Sequence, residues 1–300
     1  MFRKMHHPQQ AARRDDPAKA AMLAPASLLR ATILTRNLPT LLIALTAALL
    51  TGHSAFADPV RIVGGPSVGC IAGAVELPPQ GPGYQTIHVA ISHFWGAPST
   101  VSGIEQLGRK AQEAGLGNIL VEELGRQYGG PMVGGHASHQ TGVDADVALD
   151  TSHRRPLSPN ERETVELTSV VRADRRGVRP DRWNDDVVKL LALATQLPQI
   201  DRILVNPAIK RQLCDTVAGD RSWLRFIRPW YGHAAHMHVH FRCPPGQASC
   251  VDLPPPPPGD SCDATLQWWF DQLDAPPAKP GPPKPPTPLP VECKAIMAGR

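Results

Sequence analysis

The 300-residue chain has no run of about twenty apolar residues, no C-x-x-C pair and no internal repeat. The first lack excludes an ordinary membrane-spanning helix, which needs roughly 20 consecutive apolar residues. The second argues against a zinc ribbon or a thioredoxin-like redox motif. A basic excess is missing too, once the first 57 residues are set aside. They hold seven Lys and Arg against two Asp and Glu, which leaves 24 against 25 and a net charge of −1. A nucleic-acid partner, which would require a basic face, is therefore not expected.

Those first residues have a pattern of their own. Arg30 and Arg36 precede the apolar run LLIALTAALL (41–50), and the small residues Ala55 and Ala57 close the segment. Charge, about ten apolar residues and A-x-A together read as a secretory signal peptide ending at residue 57, with an uncleaved membrane anchor as the alternative. The expected location is the periplasm, with no stable membrane insertion after cleavage. All six cysteines follow that point: Cys70, Cys214, Cys243, Cys250, Cys262 and Cys293. An even number in an exported chain predicts three disulfides; six cysteines allow fifteen pairings, and spacing alone suggests only the short Cys243–Cys250 loop.

Periodicity then predicts one α+β domain over 58–300. Residues 58–83 read as an extended lead-in, 84–92 and 118–124 as strands, and 99–115 as a capped helix ending at Gly115. A helix over 185–198 leads to a buried strand at 202–206, a helix beginning at Pro207, and another at about 221–227. The proline runs at 254–258 and 274–290 exclude regular helix or central strand, since proline lacks the N–H and locks φ. They predict a wrap over about 251–292, interrupted by one short helix carrying Trp268, Trp269 and Phe270.

Two stretches concentrate metal-competent side chains: GGHASHQTGVDADVALD (134–150) and HAAHMHVHF (233–241). In HMHVH, alternation on a strand places His236, His238 and His240 on one face and Met237 and Val239 on the other. In the first stretch Gly142 permits a turn, after which Asp144 and Asp146 share a strand face. His139 before the turn and Asp146 after it can then converge. With one histidine of the later cluster they supply two imidazoles and a carboxylate, a donor set for catalytic zinc. A neighbouring imidazole is left for acid–base work. Spacing does not choose between His236/His238 and His238/His240 as the base-and-ligand pair.

The segments GGHASHQTGVDADV and RPWYGHAAHMHVHFRCP resemble the signatures of the penicillin-insensitive murein endopeptidases. These belong to the wider group of lysostaphin-type and D-alanyl-D-alanine zinc peptidases. The likeness extends through GCIAGAVELP, RILVNPAIKRQLC and PPGDSC. It implies that His139, Asp146 and His238 bind one Zn²⁺, that His236 is the general base, and that His233 stabilises charge on the substrate carbonyl. His136 would ligate or orient beside the metal, and His240 would be strand-face surface. Asp174 matches a further family metal contact, but Gly177 stands where the accompanying histidine is expected, which puts a second metal in doubt. The implied disulfides are Cys70–Cys293, Cys214–Cys262 and Cys243–Cys250. The implied activity is hydrolysis of D-alanyl-meso-diaminopimelyl cross-links between peptidoglycan stem peptides. The rival expectations are a D-alanyl-D-alanine carboxypeptidase or dipeptidase, and a non-catalytic cell-wall-binding protein on the same scaffold.

Overall fold

A computed structural model describes residues 59–132, 136–152, 155–275 and 285–299. The expected leader (1–57) and the centre of the second proline run (276–284) lie outside the described residues. The strands are β1 (Arg61–Gly65), β2 (Val68–Ala72), β3 (Val75–Glu76), β4 (Gln80–Gly81), β5 (Tyr84–Thr86), β6 (Trp95–Gly96), β7 (Ile119–Glu123), β8 (Asp144–Ala148), β9 (Ile200–Val205), β10 (Ile227–Pro229) and β11 (His236–Phe241). The helices are α1 (Pro98–Glu113), α2 (Pro159–Thr164), α3 (Asp185–Thr195), α4 (Pro207–Thr216), α5 (Ala264–Asp274) and α6 (Cys293–Met297).

Seven strands form the central sheet in the order β10-β9-β11-β8-β7-β5-β4. Its middle, β9-β11-β8-β7, is antiparallel, whereas β10 joins β9 and β5 joins β7 in parallel. The fold is thus α+β, with the histidine-bearing strands in the antiparallel middle. One face of that middle is apolar: Ile203, Val239, Ala145, Met237 and Val147 are all fully or almost fully buried. They belong to the main core, together with Ile104 and Leu107 of α1 and Leu190 and Leu191 of α3.

Helix α1 shows how this core holds β11. Pro98 starts it at a position where a missing N–H costs nothing. Val101, Ile104, Leu107 and Ala111 then recur on one buried face. Glycine inside a helix is unfavourable by about 1 kcal/mol against alanine, yet Gly103 sits in the middle. A Cβ there would lie 2.4 Å from the ring of Phe241, so glycine lets α1 rest directly on β11.

Three expectations change. The lead-in 58–83 contains the antiparallel hairpin of β1 and β2. The strand expected over 84–92 ends at Thr86. His88 turns left-handed (φ 53°), with its backbone N–H on Arg162 O and its ring nitrogen 2.7 Å from Val165 O, and Val89–Ile91 form a 3₁₀ turn. The helix expected at 221–227 is a 3₁₀ turn, Ser222–Phe226, running into β10. Helix α2 was not anticipated, although Ser158 and Glu161 form a capping box at its start.

Of the three bridges, Cys70–Cys293 and Cys214–Cys262 fasten the C-terminal part to the body, and Cys243–Cys250 closes a short loop. The first links residues 223 apart. In the chain-entropy picture such a loop stabilises by about 5 kcal/mol as an upper figure, since strain and residual denatured structure reduce it. Among the described residues no helix is long and apolar enough to cross a membrane.

Candidate metal centre and active-site groove

The register of β8 and β11 assembles the centre of the site. His238 stands opposite Asp146, and His240 opposite Asp144. Directly opposed residues project to the same side of a sheet. His238 Nδ1 accordingly lies 2.9 Å from Asp146 Oδ1, and its Nε2 3.2 Å from Asp144 Oδ1. His240 Nδ1 lies 2.7 Å from the same Asp144 oxygen. His240 is only 3% exposed, which corrects the expectation of a surface histidine. The pairing with Asp144 explains its burial.

His139 reaches the same point from the turn before β8. Both it and Gly142 adopt positive φ (66° and 68°). Strain at a non-glycine residue needs support, and His139 has two anchors. Its backbone N–H donates to Asp144 Oδ2 at 2.9 Å, and its Nδ1 donates to Leu124 O at 2.5 Å. The second bond leaves Nε2 directed at Asp146, 3.4 Å from Oδ2. A backbone carbonyl on one ring nitrogen that frees the other is a recurrent support for a metal-ligating histidine.

A bulge in β7 supplies two adjacent glutamates. The register moves from Val121↔Val147 to Glu123↔Asp146, so one extra residue, Glu122, is accommodated. Neighbours on a regular strand point to opposite faces; here both serve the site. Glu122 Oε2 lies 3.2 Å from His236 Nδ1, whose Nε2 is 3.5 Å from Asp146 Oδ2. Glu123 meets His136 Nδ1 at 2.7 Å and His93 Nδ1 at 3.3 Å.

These buried charges set one another's protonation. Burial alone would raise Asp144 and Asp146, but the imidazoles outweigh it and hold both well below the usual carboxylate range. Burial alone would lower His238; Asp144 and then Asp146 reverse this and raise its pKa to about 10. His139 is raised against burial by Asp146, and His236 by Glu122. His233 goes the other way, down to about 4, because burial is reinforced by His238 and His236. Its Nδ1 donates to Tyr231 O at 3.0 Å, which leaves Nε2 as an acceptor in the neutral ring.

The donor set fits a divalent cation. Ligand atoms of Glu123, His136, His139 and Asp146 all lie within 4.8 Å of one another. Imidazole and carboxylate together suit zinc-type chemistry. Glu123 Oε1 and Glu122 Oε2 are buried close to imidazole nitrogens but make no well-aligned hydrogen bond, so they keep acceptor capacity. Carboxylates that hold protons on imidazoles also suit a metal, whose binding displaces those protons. His139 and Asp146 are common to this cluster and to the expected ligand set. His238 adjoins them, its ring 4.7 Å from that of His139. His136, about a third exposed, sits at the rim. Asp174 is not among them: its exposed carboxylate is taken by the Arg172 guanidinium and the Arg176 N–H.

The cluster opens into a groove of about 710 Å³. One wall comes from the aromatic helix α5, where Trp269 packs edge-on against Tyr231 at 4.9 Å. Glu122, Glu123 and His93 escaped the sequence reading. The pair of acids ending an otherwise apolar ILVEE strand was the available signal, and only the bulge turns both toward the histidines.

The groove gathers buried imidazoles and carboxylates, groups that a metal-dependent hydrolase can use. Residues 62–298 match the family profile described as penicillin-insensitive murein endopeptidase. Proteins of that name from Salmonella newport (strain SL254) and Salmonella heidelberg (strain SL476) are each 44% identical over 233 residues, covering 76% of this chain and 83% of theirs. The chain belongs to the penicillin-insensitive murein endopeptidase family and is a peptidase.

Proposed function

We propose that this peptidase is an exported, zinc-dependent endopeptidase that hydrolyses D-alanyl-meso-diaminopimelyl cross-links in peptidoglycan. The observation that carries the reading is the convergence of His139, Asp146 and His238, with the Glu122-held His236 beside Asp146. His139, Asp146 and His238 would hold the ion, with Glu123 and His136 adjoining. Bound there, zinc supplies Lewis acidity that polarises a carbonyl and acidifies water near neutral pH.

The chain's own groups handle protons and position. A carboxylate on His236 Nδ1 keeps a proton there and makes Nε2 the basic nitrogen. That nitrogen takes a proton from the attacking water and returns it to the leaving amine. His233 lines the same groove, 5.4 Å ring to ring from His236. It can stabilise charge on the carbonyl oxygen only when Nε2 carries a proton; in its neutral state it accepts a hydrogen bond instead. No serine or cysteine nucleophile enters, so β-lactams, which acylate serine, should not inhibit.

The charged-then-apolar segment before residue 57 and the three disulfides support export to the periplasm. The test is digestion of purified cross-linked muropeptide dimers by the mature protein, read by mass spectrometry with and without a chelator. Monomers without free D-alanine, and loss of turnover on metal removal, are expected. Release of free D-alanine would instead indicate the carboxypeptidase. Binding of sacculi without cleavage in the zinc-loaded protein would indicate a cell-wall-binding module.

A further inference from the structure

The polar face of the sheet continues past the histidines. Arg228 on β10 stands opposite Leu204 on β9, and Leu204 opposite His238 on β11. With His238 opposite Asp146, the four residues make one rung across four strands. Arg202, His240 and Asp144 make the next rung. Opposed residues share a face, and all seven line the groove. Neighbouring strands are about 4.8 Å apart, so the Arg228 backbone lies about 10 Å from that of His238. A peptide residue spans about 3.3–3.6 Å, so a ligand group one to three residues from the site's centre could reach the arginine.

Arg228 has few protein partners where it stands. It is half-buried, and among the described residues its one hydrogen-bond acceptor is Ser261 Oγ. Among the described residues no carboxylate lies within ion-pair distance of it, whereas Arg202 has Asp201 and Arg221 has Asp260. Burial and then the charge of Arg202 both act against its guanidinium, with Asp263 as the opposing influence. A guanidinium does not shed its proton under ordinary conditions, and an anion in the groove could take the place of the water that otherwise hydrates it.

We infer that Arg228, with Arg202 beside it, is an anion subsite that binds a free carboxylate of the peptide substrate, displaced from the scissile bond toward the β10 edge. This rests on the reading of the groove as a murein-peptide site. Stem peptides carry carboxylates, and the planar guanidinium suits one in a two-point hydrogen bond. The role is specificity, since Arg228 is separated from the histidines by the apolar Leu204.

The experiment compares cross-linked muropeptide dimers carrying free carboxylates with the same dimers after chemical amidation. Equilibrium binding of the uncrosslinked stem peptides, free and amidated, is measured in parallel. The unaltered protein should favour the free form roughly 10- to 100-fold in kcat/KM and in affinity, the usual worth of a charge-assisted hydrogen bond. Arg228→Gln should abolish the preference by raising KM with kcat little changed, and Arg228→Lys should keep part of it. Ser261→Ala removes the hydrogen bond to the wrap without the charge and should keep it in full. Equal handling of both forms by the unaltered protein, or the same loss in Ser261→Ala as in Arg228→Gln, would overturn the subsite. If neither dimer is cleaved but the binding preference appears and vanishes in Arg228→Gln, the subsite stands and the endopeptidase reading falls.

Discussion

The two faces of β11 are closed by different physics, and only the polar one opens to a groove, through the half-buried His236. On one, Met237, Val239 and Phe241 are fully buried among apolar neighbours; on the other, His238 and His240 are 4% and 3% exposed among carboxylates. The apolar face gains stability from area removed from water, about 25 cal/mol per Å², with no demand on partner identity. The polar face gains little net stability, because pairing mainly offsets the cost of burying charge. Its side chains cannot be exchanged singly without leaving a charge alone. The same six residues thus serve stability on one side and chemistry on the other.

The largest expected effect lies on the polar face. His238→Ala should lose both metal and turnover, while His236→Ala should keep the metal and lose about 10²–10⁴-fold in rate, the usual cost of a missing general base. Metal content per folded molecule, measured beside turnover, separates the two. If His240→Ala were the variant that lost metal, the assignment of ligands along β11 would be displaced by two residues.

Met237→Ala tests the other face. Truncating a buried methionine typically costs about 2–5 kcal/mol, through lost transfer energy and the cavity left behind. Denaturant unfolding should show that loss, while metal bound and turnover per folded molecule at low temperature stay near the unaltered values. Loss of metal from a folded Met237→Ala protein would mean that the faces are not separable.

How much of this contrast was legible beforehand depends on the range of the forces involved. Alternation in HMHVHF is local, so it places the histidines and Met237 and Val239 on opposite faces without further information. The turn at Gly142 is local as well, and so is the convergence of His139 with Asp146 that it permits. The burial of His240 depends on register with β8, a long-range fact that turns a surface expectation into a core one. Glu122 and Glu123 required knowledge of a bulge, which no alternation pattern contains. The 3₁₀ turn after Thr86 was hidden because His88 is captured by Arg162 and Val165, more than seventy residues away.

A smaller effect is expected where the bulge supports the catalytic face. Glu122→Gln keeps the size of the side chain and removes the charge beside His236 Nδ1. Partners of this kind typically contribute 10- to 100-fold to activity or affinity. Turnover should fall in that range with metal content unchanged. An unchanged rate would leave Glu122 as a neighbour of His236 without influence on it.

The smallest effect concerns a charge handled in a third way, by losing it. Lys210 on α4 is fully buried, and its Nζ donates to Leu224 O at 2.7 Å and Asp260 O at 2.5 Å. Burial first, then the charges of Arg228 and Arg221 against Asp260 and Asp263, pushes its pKa down to about 7. An unfolded lysine titrates near 10.4. Between those values the unfolded chain holds one more proton than the folded one, so this group makes stability rise with pH. Below pH 7 both states are protonated and the folded state carries the whole cost of the buried ammonium. Lys210→Met keeps the apolar stem and removes the titration. The stability of the unaltered protein relative to Lys210→Met should therefore improve by about 1 kcal/mol from pH 7 to pH 8 and continue upward toward pH 10. Urea unfolding of both proteins across that range measures it. Parallel curves would mean that the ammonium stays charged inside the fold, and that the two carbonyls and Asp260 stabilise it as pairing stabilises the histidines of β11.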